Sequence, residues 1–430
     1  MSQLTVRMRK QLGLLEGVAI ILGIIFGSGI FISPKDVLEK TGSVWGSLCV
    51  WAACGVLATL GALSYAELGT TLAQSGGDYH YINEAYGPLP AFLYLWDANL
   101  VFVPSTNAIM ALTFANNVLM PLYPDCPIDY TCKKLVAAAT IGGVEHFDNG
   151  WDGTVSSVSD WSVAFYFGIF SYSGWNYLNF MTEELRNPFK NLPRAIYISL
   201  PMVTAIYVLA NVSYLAVLGP ANVRTTEAIA VDFSVAALSY FKYAMPPLVA
   251  IAILGGLSVH IMASSRMCFA GARNGHMPKL LAHINVKCMS PMPSLVFLML
   301  ISMVMLIPND LTMLITYCTV VESFFTTLSC SAVLWLRYKR PDLPRPIRVQ
   351  LWMPVIFVVI SAVLMVAPVV SQPVAVLGGF LMTVSGIPVY YLLVKAQFKA
   401  VQNFSSKFEH LCQKLFMCAL EDAVVEESKE

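Results

Sequence analysis

The chain has 430 residues, of which 57% are hydrophobic and only 12% charged, about half the ~25% charged residues of an average soluble domain. A soluble globule with that composition is close to excluded. The 26 basic and 26 acidic residues cancel to a formal net charge of zero, so no general electrostatic attraction draws the chain to nucleic acid, and the lipid bilayer is its natural solvent.

A helix needs ~20 predominantly apolar residues to cross a hydrocarbon core of ~30 Å. Ten such runs are expected, at 14–32, 44–65, 91–122, 161–181, 195–218, 245–270, 294–307, 311–336, 355–370 and 374–394. The third is the weakest, because Asp97, Asn99, Asn107, Asn116 and Asn117 interrupt it. The first continues through Gly27, Ser28 and Gly29 into Ile30, Phe31 and Ile32, past any small-residue cleavage site, so no cleavable signal peptide is expected. Between the third and fourth runs, residues 123–160 hold Cys126, Cys132 and six acids, and nothing there can span. The reading is an all-α polytopic membrane protein: a tail at 1–13, a transmembrane domain at 14–394, and a second tail at 395–430 that is amphipathic and then acidic from Glu421 to Glu430.

Orientation follows from the basic residues, which accumulate on cytoplasmic flanks. With the N-terminus inside, only Lys35, Lys40, Lys133, Lys134, Arg224 and Lys242 fall outside, six of the 26, and the other 20 lie inside. Both termini are therefore expected in the cytoplasm. Of ten cysteines only Cys126 and Cys132 then lie on the oxidising side, free to form an internal bridge or to join a partner. The other eight show no metal-ligand spacing and read as core thiols.

Two runs carry helix-weakening patches at similar depth. Gly27, Ser28 and Gly29 occupy the first, and the fourth holds Phe170, Ser171, Tyr172, Ser173, Gly174, Trp175 and Asn176. Glycine costs ~1 kcal/mol relative to alanine inside a helix, and small residues also serve close helix packing. Irregular backbone at membrane depth is tolerated where it is buried or lines a cavity. A pair of such breaks points to a transporter site, since freed N–H groups hold a carboxylate and freed carbonyls hold an ammonium. An α-amino acid fits that pairing.

The stretches Gly27-Ser-Gly-Ile-Phe31, Tyr65-Ala-Glu-Leu-Gly69, Ser75-Gly-Gly-Asp-Tyr79, Glu84-Ala-Tyr-Gly87, Gly174-Trp-Asn-Tyr-Leu-Asn-Phe180, Asn191-Leu-Pro193, Gly275-His-Met-Pro278 and Trp335-Leu-Arg337 resemble, in that order, the light subunits of heteromeric amino-acid transporters. Those proteins form part of the amino acid–polyamine–organocation superfamily, and the L-type branch for neutral amino acids is the nearest in look. The resemblance implies an inverted-repeat (LeuT-like) transporter fold and sodium-independent exchange of amino acids at the plasma membrane. Residue by residue, it puts the substrate carboxylate on Gly27, Ser28, Gly29 and Ile30. The amino group and the closing aromatic fall to Phe170, Ser173, Trp175 and Asn176. The amide of Asn176, where the cationic-exchanging branch carries an acid, favours neutral substrates. Cys126 matches the cysteine that joins the light subunit to a single-span heavy-chain glycoprotein, with a Cys126–Cys132 bridge as the alternative.

The chain also departs from the family. The fourth and fifth family spans have no counterpart after Lys134, so about ten spans remain and the first repeat is incomplete; a transport-incompetent isoform competing for the heavy chain, or an amino-acid sensor, is the rival reading. Glu322 and Ser323 stand in the eighth span where the family is uncharged or aromatic. An acid there costs ~2.5–3.5 kcal/mol on insertion scales, so Glu322 senses a substrate amino group, carries a proton, or is a hydrogen-bonded packing residue. Val103 and Ala98 replace a basic and an acidic residue, the loss of an internal ion pair. His260 is expected to be a satisfied core residue, and Glu67 and Asp78 to orient the loop after the second span. No phosphate-binding loop, zinc spacing or nucleophile–base order suggests an enzyme or a cofactor.

Overall fold

The computed structural model of the protein describes residues 10–119, 154–155, 157–226, 229–237, 243–305, 311–371 and 373–395, with short pieces near the two ends. Cys126, Cys132 and nearly all of the expected outer loop lie outside the described residues.

Helix α1 (Leu14–Ile25) opens where the Glu16 carboxylate accepts the Gly13 N–H at 2.9 Å, satisfying one of the donors a helix start leaves orphaned. Three residues later α2 (Gly29–Thr41) begins at a 45° bend, and it ends at Gly42 in the left-handed conformation, the usual helix stop. Ser43 caps α3 (Val44–Thr71) by accepting the Gly46 N–H. Short α4 (Asp78–Tyr86) leads into α5 (Pro88–Asp97), a π-helical turn (Ala98–Phe102) and α6 (Val103–Leu119), so the weak third run is an interrupted helix. Past the outer loop come α7 (Val158–Tyr172), a 3-10 helix (Tyr177–Glu184) and α8 (Pro188–Thr225). The rest is α9 (Ile229–Ala237), α10 (Met245–Arg273), α11 (Met292–Val304), α12 (Leu311–Lys339), α13 (Trp352–Ser371) and α14 (Pro373–Val389), the last extended by a π turn.

Among the described residues, four helical stretches, Val44–Thr71, Pro188–Thr225, Met245–Arg273 and Thr319–Lys339, are long and apolar enough to cross a membrane, and the bent α1–α2 pair makes a fifth if it is one span. Met292–Val304, Trp352–Met365 and Val376–Leu392 are apolar but shorter. The exposed side chains on the outer helices, among them Ile198, Leu209, Ile251, Met303 and Val363, are apolar, which in water would leave a patch no soluble monomer carries.

The centre of the bundle is packed closely. Thr204 of α8 lies against α3 at Gly55, where a methyl group would meet it at 2.4 Å; Trp51, Tyr172 and Tyr207 join α3, α7 and α8 through tilted and edge-on ring contacts. At the end marked by the basic residues, Arg266 pairs with Glu184 at 2.7 Å and Arg273 with Glu183 at 2.8 Å. Glu67 pairs there with Arg337 and accepts the Val349 N–H at 2.8 Å. Glu67 therefore fixes the segment after α12 and not the loop after its own helix, a partner 270 residues away in sequence that no local pattern could supply.

The all-α expectation needs one amendment. Gln3–Thr5 pairs antiparallel with Val424–Glu426, and His283–Asn285 with Cys418–Leu420, so part of the tail expected to be amphipathic and acidic is short strand. Extended edges of the α10–α11 connection and of the N-terminus supply backbone partners that sequence periodicity does not reveal.

Candidate functional site

The two helix-weakening patches are breaks, and they touch. Helix α1 stops at Ile25, Phe26–Ser28 is irregular, and α2 restarts at Gly29. Helix α7 stops at Tyr172; Ser173 is extended and Gly174 has φ +109°. A Cβ on Gly29 would stand 2.5 Å from the Ser171 Cα, and one on Gly174 would stand 2.1 Å from Ile24. Close packing and chain breaking, weighed above as alternatives, are thus the same feature: each break owes its shape to a glycine pressed against the other.

Tyr207, in the middle of α8, holds the pair together. Its hydroxyl hydrogen-bonds the Ile25 carbonyl at 2.5 Å and the Ser171 carbonyl at 3.0 Å, two acceptors that the helix ends leave orphaned. Sequence reasoning missed this residue, because a tyrosine in an apolar run carries no mark of its tertiary partner.

Of the expected carboxylate residues, Gly29 and Ile30 open α2, so their N–H groups have no intrahelical acceptor and lie at the positive end of the helix. Ser28 and Gly29 line a small cavity with Phe170, Ser173, His260 and Glu322. A larger one is lined by Ser173, Trp175, Asn176, Glu322 and apolar residues including Leu57 and Phe357. A third has Asp78, Tyr94, Asn176 and Glu322 in its walls. Gly27 and Ile30 are buried beside the first break; Gly27 lines none of these three cavities, and neither does Ile30. Glu322 alone borders all three, and Ser173 donates to its Oε1 at 2.6 Å.

Two acids face this centre in different ways. Asp78, expected to orient a loop, is instead buried against the second break: Tyr65 hydrogen-bonds it, Asn176 donates through Nδ2 at 2.9 Å, and Tyr94 at 3.5 Å. Asn176 also passes its carbonyl to the Asn179 side chain at 3.0 Å. Its side-chain Nδ2 is therefore committed to Asp78 and its backbone carbonyl to Asn179, and the residue borders two of the cavities. His260 bears out the core reading, bonded to Tyr177 at 2.8 Å and to Asn107 at 2.7 Å, while its ring still borders the cavity at α2.

Two abutting broken helices with largely apolar cavities beside them that carry a few polar groups, inside an apolar helical bundle, are the arrangement of a membrane transporter's binding site. The amino acid permease family matches residues 12–144 and 140–394, and this chain belongs to it. Mouse b(0,+)-type amino acid transporter 1 is 38% identical over 444 aligned residues, covering 93% of this chain and 91% of the relative. The rabbit large neutral amino acids transporter small subunit 2 is 39% identical, with 92% and 82% covered. The human cystine/glutamate transporter is 37% identical, with 91% and 87% covered. The chain is thus a multi-pass membrane protein of the amino-acid transporter light-subunit group that its motifs resemble.

Proposed function

We propose that the protein exchanges mainly neutral L-amino acids without sodium, at the plasma membrane, as the light subunit of a complex with a single-span heavy-chain glycoprotein. The observation that carries this is the contact between the two breaks, which sets Gly29, at the N-terminus of α2, on a cavity shared with Phe170 and Ser173. The substrate carboxylate binds at Gly27, Ser28, Gly29 and Ile30; Phe170, Ser173, Trp175 and Asn176 surround its amino group and side chain. The apolar walls at Leu57 and Phe357 suit a neutral side chain. Both termini lie in the cytoplasm, and Cys126 forms the disulfide to the heavy chain. Such a cycle makes and breaks no covalent bond, so the protein is not an enzyme.

Leucine-for-leucine exchange in proteoliposomes carrying this chain and a heavy chain tests the reading, with radiolabelled leucine uptake expected only into vesicles preloaded with leucine. Preference for arginine or lysine over leucine overturns the neutral assignment. On a non-reducing gel the high-mass complex should vanish for Cys126→Ser; a band that persists counts against the heavy-chain disulfide.

One observation favours a second reading. Between Leu119 and Val158 lie only residues 120–157, and the two family matches meet at 140–144, where the family motifs lead one to expect two more spans. A chain short of one helix pair acts as a competitor for the heavy chain or as a sensor. Leucine binding without flux selects the sensor, and heavy-chain binding without leucine binding selects the competitor.

A further inference from the structure

The backbone carbonyls that the breaks release are the natural partners of a substrate ammonium, and in this protein several of them already face donors. Ile24 O accepts the Gly27 N–H at 3.1 Å, and Phe170 O accepts the Ser173 N–H at 3.1 Å. Ile25 O and Ser171 O share the single proton of the Tyr207 hydroxyl. A carbonyl has two lone pairs and tolerates a second donor, so these four are weaker anchors than an ionised acceptor. Nearby stands a stronger acceptor. Glu322 borders the same cavity as Ser28 and Gly29, with Ser173 as its donor among the described residues, at Oε1. Its second oxygen accepts no hydrogen bond from a described residue, and no described cation lies within ion-pair distance.

An acid at membrane depth with no cation beside it is costly unless something supplies the missing charge. The other acid nearby, Asp78, is answered by three donors. Cys54, Tyr94, Tyr172, Tyr177 and His260 are the other titratable groups that line these three cavities, and none of them forms an ion pair with Glu322. A zwitterion seated with its carboxylate on the α2 N-terminus carries its ammonium one carbon further, in a cavity that Ser173 and Glu322 also line.

We propose that Glu322 is the counter-ion of the substrate α-ammonium, and that Ser173 holds the carboxylate in the empty site and yields it when substrate arrives. The proposal rests on the amino-acid reading above and deepens it. An ion pair replaces the backbone carbonyls as the main anchor of the amino group, so the site selects amino acids over otherwise identical acids that lack the ammonium. Ionised donor and acceptor make such a bond about twice as strong as a neutral one.

The test is competition against radiolabelled leucine on the purified complex of this chain with its heavy chain, with leucine and 2-hydroxy-4-methylpentanoate as competitors. In the wild type, leucine should compete about 100-fold better than the hydroxy acid, on the scale expected when one partner of a buried, hydrogen-bonded charge pair is removed. In Glu322→Gln that ratio should fall at least tenfold, through weaker leucine binding and not tighter hydroxy-acid binding. Ser173→Ala removes the competing hydroxyl and should raise the ratio severalfold. An undiminished ratio in Glu322→Gln overturns the proposal. So does an unchanged or lower ratio in Ser173→Ala, which stands as a test even if Glu322→Gln does not assemble. If the wild type binds leucine but the variants behave in these contrary ways, only the role of Glu322 fails; if the wild type binds none of the twenty amino acids, the amino-acid reading fails with it.

Discussion

The first break, Phe26–Ser28, presents backbone; the second, Ser173–Asn176, presents side chains wired to acids on other elements. At the first, the polar groups offered are the N–H groups that open α2, fixed by helix geometry and indifferent to which side chains surround them. At the second, Ser173 reaches Glu322 on α12 and Asn176 reaches Asp78 on α4. A carboxylate, common to every amino acid, needs only the first kind of site. Discrimination has to come from the second, where a single substitution changes charge.

The largest expected effect comes from breaking the contact that both regions share. Gly29→Ala drives a methyl into the Ser171 backbone, which cannot swing aside, and Gly174→Ala adds a clash with Ile24 to a φ of +109° that other residues avoid. Overpacking and backbone strain cost about 1–3 kcal/mol each. Leucine exchange should fall more than tenfold in either variant and the melting temperature of the complex should drop; normal exchange in Gly29→Ala would show that the breaks move independently.

Next in size is Tyr207→Phe, which leaves the Ile25 and Ser171 carbonyls without that donor in a buried site. An orphaned buried polar group costs about 1–3 kcal/mol, so exchange should fall about tenfold with the protein still folded by size-exclusion chromatography. A variant with wild-type exchange would separate the two breaks energetically. Asn176→Asp sharpens the comparison from the other side: it swaps the donor to Asp78 for a second carboxylate, and leucine affinity should fall severalfold while Asn176→Ser loses less. Equal losses in isothermal binding would mean that the amide acts by shape and not by charge.

The smallest effect lies away from both breaks. Burial, the largest single influence, would raise the Glu183 carboxyl, but the hydrogen bond and charge of Arg273, the Ser75 N–H and His80 together outweigh it and hold the carboxyl below its ordinary value. A depressed carboxylate stabilises the fold above its unfolded value and loses that contribution as pH falls through the folded one. With both side chains about a quarter exposed, the pair contributes less than about 1 kcal/mol. Glu183→Gln should lower the melting temperature slightly at pH 7, and by progressively less as pH falls below the ordinary carboxylate range; a loss that grows on acidification would contradict the ion-pair account.

Much of this arrangement was legible in the residue order. Runs of about twenty apolar residues mark most of the helices, because the bilayer leaves the backbone few other solutions, and Gly27 to Gly29 and Ser173 to Asn176 announced both breaks through residue types that helices avoid. Glu322 stood out for the same reason, as a charge where charge is expensive. Less could be read of Asp78, since its companions Tyr65, Tyr94 and Asn176 come from different elements, and a loop-flanking acid looks the same in sequence whether it faces solvent or a cavity. The pairing of Glu67 with Arg337 and the strand at Cys418–Leu420 escaped for a similar cause: both partners are distant in sequence and neither is periodic.

What the sequence determined by itself is therefore whatever depends on one segment and its solvent: membrane residence, the bias of basic residues, the places where a helix cannot continue, and the family. Only the tertiary structure decided which breaks meet, that Tyr207 joins them, and that one acid is surrounded by donors while the other keeps a free oxygen toward the cavity. Those outcomes turn on contacts between segments, and contacts follow from how glycine-thin surfaces let backbones approach, which no single segment encodes.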